Sequence, residues 1–178
     1  MKMKRIIALC LVSILLLLVF ASCKDGDAQT PFGMKLASDP EISSYYLYVP
    51  ESWTTDIRTA TTTAYYSEND PTSICASFAP LASTEQKDPD AYFESYKEEF
   101  SAVFGELKDL ETDNPTLDGK PAKQYIYTAT LAGTEYKFWQ VICIRNGRVY
   151  TITYTSIVEN FEKHTADMQS CLDNFRFQ

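Results

Sequence analysis

Residues 121–155 read Pro-Ala-Lys-Gln-Tyr-Ile-Tyr-Thr-Ala-Thr, Leu-Ala-Gly-Thr, Glu-Tyr-Lys-Phe-Trp-Gln-Val-Ile-Cys-Ile-Arg, Asn-Gly, Arg-Val-Tyr-Thr-Ile-Thr-Tyr-Thr. Three runs rich in Val, Ile, Thr and aromatic residues, which suit a pleated surface, are separated by two short turns. Asn146-Gly147 tolerates the positive φ at both positions that a two-residue hairpin demands, and Ala132-Gly133 is a weaker signal of the same kind. The stretch predicts an antiparallel meander. Alternation puts Phe138, Ile142 and Ile144 on one face of the middle strand and Trp139, Val141 and Cys143 on the other. In the last strand Tyr150, Ile152 and Tyr154 oppose Thr151, Thr153 and Thr155. A strand apolar on both faces is to be covered on both, so the sheet is expected between two layers.

Upstream of the meander the chain supplies more strands and a helix. Phe32 to Leu36, Tyr45 to Val49, Thr61 to Ser67 and Thr72 to Ala79 are strand-like, and Pro50 stops the second of them. Glu51-Ser52-Trp53 reads as a turn. Asp88 is a suitable N-cap, Pro89 fits the first helical position, and Asp90 complements the helix dipole. Phe93, Tyr96, Phe100, Val103 and Leu107 follow at helical spacing as the expected core face, with Gly105 at the helix end. Glu106 to Thr112 is a further candidate strand and Leu117-Asp118-Gly119 a tight turn. After the meander, Val158 to Asn174 is expected as a second helix with Phe161, Thr165, Met168 and Leu172 inward. Phe175 to Phe177 is expected as an edge strand. Strands interrupted by two amphipathic helices give an α+β class, a mostly antiparallel sheet packed between helices.

The first residues address the chain rather than fold it. Lys2, Lys4 and Arg5 precede an apolar run from Ile6 to Phe20, about fifteen residues where a span needs roughly twenty. Phe20-Ala21-Ser22-Cys23 resembles the lipobox of bacterial lipoproteins, with Phe20 in place of the usual Leu. The resemblance implies a signal peptide over 1–22, acylation of Cys23, and attachment to the membrane on the side facing away from the cytoplasm. Residues 23–30 are polar and aperiodic, a flexible tether, which leaves a single domain over 31–178. The leader carries three of the sixteen basic residues and none of the twenty-four acidic ones, so the rest has thirteen against twenty-four, a net −11. Such a body is a poor nucleic-acid binder and is repelled by anionic headgroups.

Little in the sequence speaks for catalysis. His164 is the one histidine, expected at the boundary of the second helix, and no Gly-x-Ser-x-Gly or His-Glu-x-x-His motif surrounds it. Asp109, Glu111 and Asp113 alternate as a calcium loop begins. That comparison fails at Asn114 and Lys120, where Gly and Glu are required. No metal or cofactor site is expected. Cys75, Cys143 and Cys171 remain once Cys10 and Cys23 are set aside. A Cys75–Cys143 bridge is one alternative and three buried free thiols the other.

The order of turn and core motifs resembles the PsbP-like and DcrB-like proteins. The motifs are Tyr45 to Trp53 with its Val-Pro-Glu-Ser-Trp ending, Asp118-Gly119-Lys120-Pro121-Ala122, Asn146 to Thr153, and the closing Asn174-Phe175-Arg176-Phe177. The resemblance spans residues 32–178. It implies an α/β/α sandwich and a non-catalytic module that binds or helps assemble a partner, here another envelope protein. It transfers no catalytic residue.

Twelve tyrosines and two tryptophans invite one sharper idea. Tyr45, Tyr65, Tyr125, Tyr127 and Tyr136 alternate with core candidates or flank turns, so an outward aromatic patch is one reading, and plain strand-forming tyrosines with solvated hydroxyls are the other. Tyr125, Tyr127, Tyr136, Trp53 and Trp139 are the candidate binding residues of such a patch. The leading expectation is an interaction or assembly module presenting a flat patch. The first alternative is a small-ligand or glycan-binding lipoprotein with a concave pocket lined by several tyrosines and Trp53 or Trp139. A hydrolase would require two converging carboxylates with pushed-apart pKa values.

Overall fold

A computed structural model of the chain describes residues 30–58, 60–81 and 88–178. The expected leader, Cys23 and the tether up to residue 29 lie outside the described residues. In chain order the elements are β1 (Met34–Leu36), β2 (Tyr45–Tyr46), β3 (Tyr48–Pro50), β4 (Thr54–Arg58), β5 (Thr61–Ser67), β6 (Asp70–Pro80), α1 (Pro89–Phe104), β7 (Lys108–Asp113), β8 (Thr116–Leu117), β9 (Lys120–Pro121), β10 (Lys123–Leu131), β11 (Thr134–Arg145) and β12 (Arg148–Ile157). A 3₁₀ turn (Phe161–His164), α2 (Thr165–Asn174) and β13 (Arg176–Phe177) close the chain.

Seven strands form one antiparallel sheet in the order β4-β5-β6-β12-β11-β10-β7. The meander is its centre. Asn146 and Gly147 take φ of 52° and 71°, Ala132 and Gly133 50° and 85°. Both hairpins therefore turn with two left-handed residues, the twist that matches the flanking strands. Ala132 carries a Cβ into that region, at about 1 kcal/mol or more.

Alternation along the long strands separates two cores. On one face Val141 and Cys143 of β11, Tyr150, Ile152 and Tyr154 of β12, and Ile74 and Ala76 of β6 meet Tyr45, Leu47, Val49 and Trp53. Phe161, Met168, Cys171, Leu172 and Phe175 complete that layer from the C-terminal side. On the other face Tyr125, Tyr127, Ala129, Phe138 and Ile142 pack under Phe93 and Phe100 of α1. The sheet is thus sandwiched, as its doubly apolar strand requires. The α1 start is as read from sequence: Asp88 accepts from the Ala91 N–H at 2.8 Å, Pro89 opens the helix, and Gly105 ends it at φ 75°.

Four expectations are corrected. Tyr45 to Val49 is two short strands because the chain changes partner at Leu47: β2 pairs with β13, and β3 with β1. Thr54–Arg58 is a strand where none was expected, a β-branched edge paired along β5. The second helix begins later than Val158, because β12 continues to Ile157, which still pairs with Tyr136. Val103 is 63% exposed. Phe104 takes its place, stacked on Phe100 at 4.3 Å and edge-on to Phe138 at 5.6 Å.

Candidate functional site

The five aromatic candidates do not share an outward face. Tyr125 and Tyr127 are buried beneath α1, which lands on β10 and covers the side they occupy. Trp53 is buried on the opposite face beside His164 and Tyr66, and Trp139 is half-buried on that same face. Tyr136 is half-buried near Phe138, with ring centroids 6.4 Å apart. Tyr45, also expected outward, is fully buried, its hydroxyl donating to the Ala76 carbonyl at 2.8 Å. Tyr65 does stay exposed, at the β5 end of the sheet. Alternation sorts residues between faces correctly, but it does not say where a helix will land.

What the fold builds instead is a groove. α1 packs chiefly on β10 and β11, so much of the α1-side face of β12 and β6 is left as a floor beside it. Tyr92, Tyr96, Phe100 and Phe104, four residues apart along α1, form the wall. Thr151, Thr153 and Thr155 of β12, with Cys75 and Ser77 of β6, form the floor of a cavity of about 310 Å³. Wall and floor run the same way. Tyr92 lies beside Thr151 at one end, and Phe104 rests on Phe138, whose partner across the ladder is Thr155, at the other.

Two buried polar atoms in this lining have no partner among the described residues: Oε1 of Gln140 and the hydroxyl of Tyr127. The amide of Gln140 is engaged only through Nε2, which donates to Thr153 Oγ1 at 3.3 Å. Burial pushes the hydroxyls of Tyr92, Tyr96 and Tyr127 and the thiol of Cys75 upward, so all four are neutral near pH 7. A second cavity of about 270 Å³ shares Tyr92 and Tyr96 and adds Glu99, Ala79 and Val149. The sequence reading included Tyr96 and Phe100 but missed Tyr92 and Phe104. The signal was there, four aromatic residues at i, i+4, i+8 and i+12, together with threonines at three successive alternate positions of β12, 151, 153 and 155.

His164 is nearly buried, as a boundary histidine. Its Nδ1 lies 3.2 Å from Asp167 and its Nε2 3.8 Å from Asp70. Asp70 in turn accepts from the Thr72 N–H at 3.0 Å, from Thr72 Oγ1 at 2.6 Å and from Asn160 Nδ2 at 2.9 Å. The cluster fastens the start of β6 to the loop before α2. Asp109, Glu111 and Asp113 lie on β7, an exposed edge strand. Among the described residues no group of three His, Cys, Asp or Glu could hold a metal ion. Cys75 and Cys143 are free and sit on opposite faces of the sheet. Among the described residues no helix is long and apolar enough to cross a membrane.

An α+β sandwich with this strand order and two flanking helices has the PsbP-like fold. Solved structures similar to it include cyanobacterial PsbP (CyanoP) from Synechocystis sp. PCC 6803, at a TM-score of 0.59 and 11% identity over 90% of this chain and 99% of that one. LpqN of Mycobacterium tuberculosis, described as involved in cell envelope biogenesis, gives 0.56 and 15% over 82% and 90%. The Ran-binding protein Mog1p of Saccharomyces cerevisiae gives 0.54 and 9% over 75% and 90%. No protein-family model matches the chain, and no curated protein matches it by sequence.

Proposed function

We propose that this chain is a non-catalytic binding lipoprotein of a bacterial envelope. Its leader over 1–22 directs export, acyl chains on Cys23 anchor it outside the cytoplasm, and the tether lets the folded part stand off the lipid. More than one acyl chain makes such anchoring stable. The observation that carries the binding reading is the groove beside α1. It has an aromatic wall, a hydroxyl floor and two polar atoms unpartnered among the described residues, and burial moves its tyrosine and thiol groups still further from neutral pH. Such a lining suits holding a small uncharged ligand. Acid–base chemistry needs a group poised near the working pH, and these are moved away from it. Native mass spectrometry of the full-length protein released from membranes tests this. A small-molecule adduct, reduced in Tyr96→Ala, is expected. Its absence under every growth condition would remove the ligand reading. Cys23→Ser is expected to leave the membrane fraction.

A second reading, an interaction or assembly module for another envelope protein, is favoured by the free edge of β4. Among the described residues no strand pairs with its outer side, and exposed Ile57, Tyr65 and Tyr66 surround it. An open edge accepts a strand from a partner. The neighbours LpqN and Mog1p lend support through their described roles in envelope biogenesis and Ran binding. A photocrosslinker at Tyr65 in intact cells is expected to trap one stoichiometric protein. Recovery of the chain alone would count against the edge.

A further inference from the structure

We propose that the groove between α1 and β12 is a binding site for a neutral sugar. The proposal rests on the ligand-binding reading above and names the class of ligand. A sugar ring is amphipathic, with hydroxyls around its edge and C–H groups across its face. The groove is amphipathic in the complementary way. Tyr92, Tyr96 and Phe104, half-buried, offer aromatic surface, whose electron-rich faces attract C–H groups, and Phe100 is buried behind them. Thr151, Thr153 and Thr155 offer hydroxyls opposite. Four helical residues advance about 6 Å, and two strand residues advance about 7 Å. The rows run in the same direction, so a ring at each step meets an aromatic on one side and a hydroxyl on the other.

The unpartnered atoms sharpen the choice. Gln140 is 3% exposed and Tyr127 1%, and both line the cavity. Oε1 of Gln140 needs a donor, and the Tyr127 hydroxyl can give or take a proton. Leaving both buried without partners costs desolvation with nothing in return. A sugar hydroxyl donates and accepts, so it suits either atom. Charge narrows the class further. Among the described residues no acidic or basic side chain lines the groove itself, and Glu99 lines the adjoining cavity beside Tyr92 and Tyr96. An anionic sugar acid or phosphate is repelled there, and a cation finds no counter-charge in the groove. At about 310 Å³, extended by the adjoining 270 Å³, the space reaches the range of small-ligand sites.

The test is saturation-transfer NMR on the full-length protein in a detergent without a sugar headgroup, with glucose, N-acetylglucosamine and glucuronate as probes. Transfer to the ring C–H protons of at least one neutral sugar is expected, and none to glucuronate. Tyr127→Phe and Gln140→Leu are each expected to weaken that binding about tenfold or more. Tyr127→Phe removes only an atom with no partner among the described residues, so its melting temperature is expected to hold or rise, whereas Gln140→Leu also gives up the Nε2 bond to Thr153 and is expected to melt somewhat lower. Tyr96→Ala, at the half-buried rim, supplies a second variant should either core change perturb folding. Binding undiminished in all three, or equal transfer to glucuronate, overturns the proposal. So does silence from every sugar. In that case a non-sugar adduct in the native mass spectrum leaves the ligand-binding reading standing, and no adduct at all removes both.

Discussion

Phe93 lies flat on Tyr125, with ring centroids 3.9 Å apart and planes 3° from parallel. One ring comes from the first turn of α1 and the other from β10, so this stack fixes where the helix lands and hence where the groove opens. The Tyr125 hydroxyl also donates to Asp90 Oδ1 at 2.7 Å. Tyr125→Phe keeps the stack and removes the bond. Because Asp90 is largely exposed, the loss is expected at about 1 kcal/mol. Tyr125→Ala removes the ring too, at about 3–5 kcal/mol. Urea unfolding of the two variants separates the two contributions.

Val103 and Phe104 divide the end of α1 between solvent and core. Val103→Lys is expected to change stability by no more than about 0.5 kcal/mol, as exposed positions do. Phe104→Ala strips a ring from both Phe100 and Phe138 and is expected to cost about 2–3 kcal/mol, below the full-burial range because Phe104 is half-buried. Thermal melts of the pair settle which residue the helix buries. Equal effects would mean that its last turn is rotated.

Asp70 sets an acid limit on stability. Burial by itself raises its carboxyl, but the bonds from Thr72 and Asn160, with His164 beside it, outweigh that and hold it below the usual carboxylate range. Its ionised form is an acceptor only, so Thr72 Oγ1 donates to it and receives from Ser156 Oγ at 2.7 Å. In the unfolded chain the group returns to about 3.9. Its contribution is therefore complete above that value and lost as pH falls through the lower folded one. Asp70→Asn is expected to cost about 1–3 kcal/mol at pH 7. The gap from the parent should stay constant down to about pH 5 and close below about pH 4. A gap that narrowed already above pH 6 would mean that the Asp70 carboxylate is not what the substitution removes.

The three thiols of the folded part should differ in reactivity. Burial pushes Cys75 and Cys143 up and Cys171 up to about 12. Cys143 and Cys171 are buried, whereas Cys75 reaches the groove. Alkylation attacks the thiolate. Native protein is expected to take one iodoacetamide, at Cys75, more slowly than a free thiol and faster with each step in pH up to 9. The other two should react only on unfolding. Peptide mass spectrometry reads all three sites, and a bound ligand in the groove should protect Cys75.

Much of the fold was legible. The Asn146-Gly147 turn, the split of Phe138 from Trp139, the Asp88-Pro89 helix start and the Gly105 stop are local facts, each fixed within a few residues. Thr54–Arg58 was not legible, because an exposed edge strand carries no alternation to betray it. The aromatic candidates failed for a different reason. Tyr125 and Tyr127 look outward only until a helix arrives, and nothing in their own strand says that one will.

The sequence by itself determined the local geometry: which residues turn, which face of each strand is apolar, and where α1 begins and ends. These follow from dihedral preferences and side-chain period, which act within one element. Only the tertiary structure decided that α1 packs chiefly on β10 and β11 and leaves the threonine row of β12 open beside it. That placement depends on how Phe93, Phe100 and Phe104 fit against Tyr125, Tyr127 and Phe138, residues more than twenty positions away along the chain. The same placement turns a row of threonines into the floor of a groove and leaves Oε1 of Gln140 and the Tyr127 hydroxyl to face it without partners among the described residues.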